Sequence, residues 1–310
     1  MTNTDESLYI GCKPYMHGVA TSYGYVPSKG AGLAFCILFG LLMVAHIVQF
    51  CWKRTWVYVV FAIGCLVELI GWGGRAWSAE CPYNSTAFLM QISTLIIAPT
   101  FFTAGIYVLL GRLIQLYGRE SSVLSPKLYL WIFCTCDVIS LFVQAAGGGI
   151  ASSVSNNKSE SDLGTNIMVA GIVFQLFSIT IFVVCAIDVF RRVKRLGLLG
   201  LATKGRLRPL IGAMVLSIVC IYIRSLYRTV ELSQGWTGYL ITHQSYFIGL
   251  DGVMMVIAVG VFNICHPGWM LPSEIDFSLP KHGLSKSESS ASGTLNLKPM
   301  AGNTGYGNRF

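Results

Sequence analysis

Seven long apolar segments alternate with short polar ones along this chain. Residues 31–51 contain no Asp, Glu, Lys or Arg, and the later apolar segments carry only a few charges. Each segment has about 20 residues, the length that an α-helix needs to cross a hydrocarbon core of about 30 Å. The pattern predicts an all-α membrane protein with seven transmembrane helices, at 31–51, 56–75, 88–110, 128–149, 167–189, 209–230 and 245–265.

The composition of the 310 residues agrees with this pattern. Charged residues make up 12% of the chain and hydrophobic residues 54%, and the mean hydropathy is +0.61. These values exclude a soluble enzyme domain and a disordered chain. The net charge of +8 does not indicate a nucleic-acid partner, because membrane proteins accumulate Lys and Arg in their cytoplasmic loops.

The loop charges predict the orientation. Twelve Lys and Arg residues fall in the loops 52–55, 111–127 and 190–208, and only four fall on the other side. The positive-inside rule therefore predicts that the N-terminus lies outside and the C-terminus in the cytosol. The loop 190–208 could also bind a cytosolic partner or anionic lipid. The alternative is that its basic residues only determine the orientation in the membrane.

Three parts of the chain follow from this topology. Residues 1–29 form an extracytoplasmic segment that lacks the basic start and apolar stretch of a signal peptide. Residues 30–265 form the seven-helix membrane domain. Residues 266–310 form a cytosolic tail that we expect to be disordered, because its segment 285–294 is Ser-rich with few apolar residues.

Two features fall in segments that this topology places outside. Asn84 and Asn157 begin the N-glycosylation sequons Asn-Ser-Thr and Asn-Lys-Ser. Cys12 and Cys81 lie outside the spans on the same face, where an oxidising exterior would let them pair; two free thiols are the alternative. The ten cysteines show no metal-ligand spacing, and we expect no metal and no cofactor.

Ionisable and amide side chains recur inside the predicted spans. Such groups usually face the interior of a helix bundle, where they pair with one another or line a pathway. By helical rise they form a layer in the outer half and middle of the membrane, which is typical of a substrate cavity that opens outward. The alternative is a structural network of interhelical hydrogen bonds. The candidate substrate-binding residues are Glu68, Arg75, Gln91, Asp137, Gln144, Gln175, Arg224, Arg228, Glu231 and Asp251.

Two of these acids carry specific expectations. Glu68 should interact with a basic residue of the bundle, with Arg75, Arg224 and Arg228 as the candidates. Asp251 has no basic residue near it in sequence, so its counter-ion must come from another helix or from a ligand.

Proline and glycine make two further predictions. Pro99 stands in the middle of the third span and should kink it. Gly147-Gly148-Gly149 should end the fourth span. Neither feature identifies a ligand by itself.

Several functions are excluded by missing motifs. The chain contains no G-x-x-x-x-G-K-[ST] and no H-E-x-x-H, and the seventh span contains no lysine for a retinal Schiff base. No nucleophile–base pair stands out, so we do not expect an enzyme. Without a P-loop, any transport must be passive, ion-coupled or driven by a partner.

The ordered set of motifs resembles the fungal RTA-like family of seven-span proteins, also called the lipid-translocating exporter family. The likeness runs from about residue 23 to 271. It rests on Tyr25-Val26-Pro27-Ser28, Glu68-x-x-Gly71-Trp72-x-x-Arg75, Gln91, Ala98-Pro99, Tyr107, Gly111-Arg112, Asp137, Ser140, Gln144, Gly147-Gly148, Gly171, Gln175, Arg224-x-x-Tyr227-Arg228-x-x-Glu231, Asp251 and His266-Pro267-Gly268.

This resemblance implies a role in lipid handling. Family members are linked to export or flipping of sphingoid long-chain bases and to resistance to toxic amphiphiles, and one branch to porphyrin movement. Glu68, Asp137 and Asp251 would then hold the ammonium group of a long-chain base. One departure is His243-Gln244, where the family usually has Glu after His, so an amide stands here in place of that acid.

The expected function is a lipid or amphiphile translocator whose partner is a membrane lipid or an amphiphilic small molecule. A seven-helix receptor or sensor without transport is the alternative, since an outside N-terminus and a basic third inner loop suit it too. The expected location is the plasma membrane, with another endomembrane as the alternative. A possible cytosolic partner would bind at the 190–208 loop or the tail.

Overall fold

Most of the membrane domain is described by the structure, which is a computed structural model. It describes residues 11–19, 21, 23–153, 158–197, 207–235 and 238–271. The sequon residue Asn157, the part of the basic loop at 198–206 and the tail from residue 272 lie outside the described residues. The predictions made for them therefore stay predictions.

Among the described residues, seven helices are long and apolar enough to cross a membrane, which agrees with the predicted number of spans. They are α1 (Lys29–Lys53), α2 (Val57–Glu80), α3 (Ser85–Tyr117), α4 (Pro126–Ser153), α5 (Lys158–Arg195), α6 (Leu207–Ser233) and the composite α7, which joins Gln244–Tyr246, a π-helical segment Phe247–Val253 and Met254–Ile264. Throughout the part of the chain that the structure describes, regular secondary structure is entirely helical. The helices extend beyond the predicted spans because their polar ends continue the same hydrogen-bond ladder.

Local sequence determines where several helices begin and end. The Ser28 side chain accepts a hydrogen bond from the Ala31 amide and caps α1. Asn84 caps α3 in the same way by accepting from the Ala87 amide at 3.1 Å. Both residues satisfy a backbone donor that a helix leaves free at its first turn. Gly118, with φ of 90°, follows the last residue of α3, a conformation that favours glycine.

Large apolar side chains cover the outside of the bundle, and charged groups lie within it. Leu41 on α1 is 64% exposed and Trp131 on α4 is 75% exposed. Arg224 and Asp251, in contrast, are buried. This distribution is the reverse of that of a soluble protein and is typical of helices surrounded by lipid.

The glycine run at residues 147–149 does not end α4, which corrects the prediction from the sequence. The helix continues to Ser153. A Cβ atom on Gly147 would lie 2.7 Å from the Gly164 carbonyl oxygen, and one on Gly171 would lie 2.7 Å from Gln144 Cγ. These glycines therefore let α4 and α5 approach closely, as small residues do in membrane helix pairs.

The two ends of the bundle differ. At one end, here called the disulfide end, Cys12 and Cys81 form a disulfide. The N-terminal strap, defined as the described residues between 11 and 28, contacts α2 at Ser78, α3 at Gln91 and α7 at Gln244 there. Tyr83 holds the strap by hydrogen bonds between its hydroxyl group and the backbone of Met16 and Val19. The opposite end carries the basic loops and is called the basic end.

Candidate functional site

The candidate polar residues lie inside the bundle. Nine of the ten are buried, and Gln175 is half-buried. They fall into three groups, two of which share Arg224 and Arg228. The structure sorts them into an ion-pair cluster on α2, α6 and α7, a polar cavity between α3, α4, α5 and α6, and a group that holds the N-terminal strap.

Arg224 is the centre of the ion-pair cluster. Its Nε atom lies 2.9 Å from Asp251 Oδ1, and the two side chains are 6% and 0% exposed. The counter-ion of Asp251 therefore comes from another helix, one of the two sources that the sequence allowed. The Nη2 atom of Arg224 also donates to the carbonyl oxygen of Leu95 on α3, so this one side chain joins three helices.

A second ion pair lies within α6. Arg228 Nη1 contacts Glu231 Oε2 at 2.5 Å, one helical turn away. The Tyr227 hydroxyl donates to Glu231 Oε1 at 2.8 Å. Residues three apart lie on the same face of a helix and can pair, and burial makes this pair part of the interior rather than a surface contact.

Glu68 is fully buried beside the Arg224–Asp251 pair. Its electrostatic neighbours are Arg224, Asp251 and Arg228, and the Trp72 indole is a nearby hydrogen-bond donor, although neither carboxyl oxygen accepts a hydrogen bond of full geometry from the described residues. Two of the three basic partners suggested by the sequence are thus near Glu68 without forming a contact ion pair with it. Arg75, the third of these alternatives, has other partners.

Arg75 faces the N-terminal strap instead. Its Nη2 atom donates to the Tyr25 hydroxyl at 2.7 Å, and its guanidinium group lies 4.4 Å from the centre of the Phe247 ring. Gln91 also binds the strap, with its Oε1 atom 2.7 Å from the Tyr23 hydroxyl. Burial raises the pKa of Tyr23 to about 12, so this phenol stays neutral at ordinary pH.

Asp137 on α4 is the acid of the polar cavity. The Tyr107 hydroxyl donates to its Oδ2 atom at 3.1 Å, and Thr103 Oγ1 lies at the same distance. Among the described residues, no Lys, Arg or His nitrogen lies within 4.0 Å of this carboxyl group. Asp137 is therefore a buried acid held by two hydroxyl groups, without a contact cation.

The cavity at Asp137 has a volume of about 30 Å³. Five of the ten candidates line it: Asp137, Gln144, Gln175, Arg224 and Arg228. Gln144 Nε2 donates to Ser140 Oγ at 3.0 Å and to Gln175 Oε1 at 3.1 Å. Both cavity arginines already have acidic partners, so Asp137 is the lining group whose charge lacks a contact partner.

A larger apolar groove adjoins this cavity. Its volume is about 860 Å³, and it lies between the disulfide-end halves of α3 and α4 and the start of α5. Ile96 and Gln144 line both spaces. The groove opens on the side of the bundle, where α3 and α4 pack less extensively than α4 and α5 do.

The partners of Asp137 were not singled out as site residues from the sequence. Thr103 and Tyr107 stand four residues apart on α3, so they share a face of that helix. Two polar groups at this spacing in an apolar span were the available signal. The partnership itself depends on how α3 packs against α4, which the pattern along one helix does not contain.

The sequon residue Asn84 lies at the disulfide end. Its side chain both caps α3 and donates to the Gly11 carbonyl oxygen at 3.2 Å. It therefore stands at the same end as the Cys12–Cys81 disulfide.

Comparisons with known proteins agree with this architecture. The sequence profile of a family described as RTA1 like protein matches residues 61–274. The sphingoid long-chain base transporter RSB1 of Saccharomyces cerevisiae is 31% identical over 87% of this chain and 80% of its own length. Protoporphyrin uptake protein 1 of the same organism is 28% identical, and Protein RTM1 is 27% identical, each over 78% of this chain and 90% of the relative. No solved structure matches the chain.

Proposed function

Because this chain belongs to the RTA1-like family, we propose that it translocates amphiphiles with a cationic headgroup, most plainly sphingoid long-chain bases, across the membrane in which it resides. It is an integral multi-pass membrane protein. Two relatives are named as a transporter and an uptake protein, which supports movement of a ligand rather than conversion of one. The proposal is therefore a transporter and not an enzyme.

The buried acid at Asp137 is the observation that carries the proposal. A buried acid is costly in its ionised form unless a cation or hydrogen bonds compensate it. Tyr107 and Thr103 supply hydrogen bonds, and an ammonium group in the adjoining space would supply the charge. A charge-assisted hydrogen bond of this kind is about twice as strong as a neutral one.

The amides beside Asp137 fit the rest of the headgroup. A sphingoid base carries hydroxyl groups next to its amine, and Gln144 and Gln175 line the same cavity. An amide offers both a donor and an acceptor, so it can replace the water that a hydroxyl group leaves behind. Arg224 and Arg228 would act by holding Asp251 and Glu231, since each already forms an ion pair.

The same proposal includes a topology. The disulfide end would face the outside, with glycans at Asn84 and Asn157, and the basic end would face the cytosol. The basic loop at 190–208 or the tail would be the place for a cytosolic partner. A C-terminal epitope tag should then resist protease in intact cells and be cleaved after permeabilisation. Cleavage in intact cells would contradict the topology without touching the transport proposal.

A flux assay tests the function directly. The purified chain is placed in liposomes without other protein, and the movement of a labelled long-chain base is followed. We expect a higher flux than in protein-free liposomes. Asp137→Asn should lower this flux, whereas the control Asp188→Asn, which also removes an acid, should leave it nearly unchanged. Asp188 is half-exposed and pairs with Arg192 at the basic end, so its loss should cost little. Saturable binding without flux would overturn the transporter and favour a receptor.

A further inference from the structure

The Asp137 cavity cannot hold a whole long-chain base. Its volume of about 30 Å³ has room for about one or two water molecules, which suits an ammonium group. The hydrocarbon chain of the amphiphile must therefore lie elsewhere. The groove beside the cavity is much larger, about 860 Å³, and falls within the range of about 300–1,000 Å³ typical of ligand sites.

The lining of the groove suits a hydrocarbon chain. It is formed mainly by Ile, Leu, Phe, Val, Ala, Gly and Met side chains from α3, α4 and α5. On α3 it runs from Phe88 to Ile97, a distance of about 14 Å along the helix axis, which is close to half of a hydrocarbon core. Ser93, Gln144 and Ser161 are its polar lining residues.

The polar cavity and the groove meet at Gln144 and Ile96. Both side chains line the two spaces and therefore form the wall between them, so a molecule that extends from Asp137 into the groove has to pass beside Gln144. No described residue of the N-terminal strap lines either space. The strap contacts α2, α3 and α7 at the disulfide end, whereas the groove lies between α3 and α4, where its lining residues Val138 and Phe142 are exposed on the outside of the bundle.

We propose that this groove is the binding site for the hydrocarbon chain of a single-chain cationic amphiphile whose headgroup occupies the Asp137 cavity. The amphiphile then enters the site laterally from the lipid bilayer. The proposal rests on the proposed function and adds a second subsite and a direction of access to it. Gln144 stands at the junction of the two subsites and would contact the ligand where headgroup and chain meet.

The groove would act by shape rather than by hydrophobic attraction. A chain that leaves lipid for an apolar groove gains little from burial, because lipid tails are as apolar as the groove. Longer chains are therefore not expected to bind much more tightly. Blocking the groove is the sharper test, since it removes the space that a chain needs while the cavity stays open.

Gly149 offers a site for such a block. It lines the groove and is exposed, and a Cβ atom there would meet nothing within 4 Å. Gly149→Phe should therefore fill part of the groove without a clash in the helix. Gly212→Phe is the matched control, because Gly212 on α6 is also exposed, also has no neighbour within 4 Å of a Cβ atom and does not line the groove.

Photolabelling with a long-chain base that carries a diazirine on its chain provides the main readout. We expect crosslinks on the groove segments 88–97 and 138–149, competed by unlabelled long-chain base. Gly149→Phe should remove these crosslinks and lower the initial flux by about tenfold or more, and Gly212→Phe should change neither. A phosphatidylcholine with a diazirine on one acyl chain is the control, because it shows how strongly bulk lipid labels the same segments.

The outcomes separate the two proposals. Equal labelling by phosphatidylcholine without competition would mean that the groove holds bulk lipid only, which overturns the chain site. Flux that Asp137→Asn lowers and Gly149→Phe leaves unchanged would also overturn the chain site, while the proposed function would stand. Absence of any flux from the unaltered protein would overturn the proposed function itself.

Discussion

Arg224 on α6 donates a hydrogen bond to the carbonyl oxygen of Leu95 on α3. In an α-helix that oxygen normally accepts from the amide four residues later. Here the later residue is Pro99, which has no amide hydrogen to give. The proline thus leaves an acceptor free inside the membrane, and the arginine that pairs with Asp251 satisfies it.

The substitution Pro99→Ala should release Arg224 from α3. The alanine amide would donate to the Leu95 carbonyl oxygen and compete with the guanidinium group. Helix propensity favours alanine over proline by about 3 kcal/mol in a helix interior, so the melting temperature in detergent should stay the same or rise. Flux of long-chain base should fall, because a cavity-lining arginine loses one anchor.

Pro209→Ala is the matched control for this change. Pro209 lies in the first turn of α6, where a helix does not use the missing amide hydrogen. It should alter neither flux nor melting temperature by much. A stabilised Pro99→Ala protein with undiminished flux would show that the contact between Arg224 and Leu95 is structural only.

Removal of one partner of the Arg224–Asp251 pair should strongly destabilise the protein. A buried charge without its partner costs about 3–5 kcal/mol, so Arg224→Met and Asp251→Asn should each lower the melting temperature in detergent. Arg224→Met should be the more damaging of the two, because it leaves Asp251 and Glu68, which interact electrostatically, without their shared cation.

The double variant Arg224→Met with Asp251→Leu tests whether the two residues act as a pair. It removes both charges, so its loss of stability should be smaller than the sum of the two single losses. Additive losses would mean that the two side chains contribute independently. Surface expression of each variant in cells provides a second measure of folding.

Asp137→Asn should impair handling of cationic amphiphiles selectively. The change keeps the shape of the side chain but removes its charge. Loss of a charge-assisted hydrogen bond of about 1.5–3 kcal/mol would weaken binding of a long-chain base by roughly 10- to 150-fold. Competition binding with a long-chain base and its N-acetylated, neutral analogue measures the difference. Equal losses for both ligands would contradict an ammonium site at Asp137.

The disulfide should stabilise the strap measurably. It closes a loop with a sequence separation of 69 residues between Cys12 and Cys81, and such a crosslink typically contributes about 2–4 kcal/mol. Cys12→Ser should therefore lower the melting temperature, and a reducing agent should do the same to the unaltered protein. Cys51→Ser is the control, since Cys51 is a free, exposed cysteine at the basic end. Insensitivity to both treatments would mean that the strap is held by its hydrogen bonds alone.

The spans and the burial of the polar residues could be predicted from the sequence. Apolar runs long enough to cross a membrane are a property of each segment alone, and charged groups inside such runs turn toward other helices because lipid cannot solvate them. The pair of Arg228 and Glu231 is likewise a property of one segment, since both residues lie on one helix three residues apart.

Partnerships between helices could not be predicted in this way. Arg224 faces Asp251, and Asp137 faces Tyr107, only because of how α3, α4, α6 and α7 pack. The π-helical turn that contains Asp251 adds to the difficulty, because its wider turn changes which residues share a face relative to a regular helix. The glycine run of α4 misled the prediction since glycine serves close packing as well as helix ends.

The groove beside Asp137 opens to the side of the bundle, and this position affects how any affinity for it is to be expressed. A ligand that dissolves in the bilayer before it reaches the protein is present there as a mole fraction of the lipid. Extra lipid at a constant amount of ligand dilutes it and lowers occupancy, although the protein is unchanged. Dissociation constants from cells, vesicles and detergent micelles are therefore comparable only when each is expressed per lipid or detergent molecule, not per litre of water.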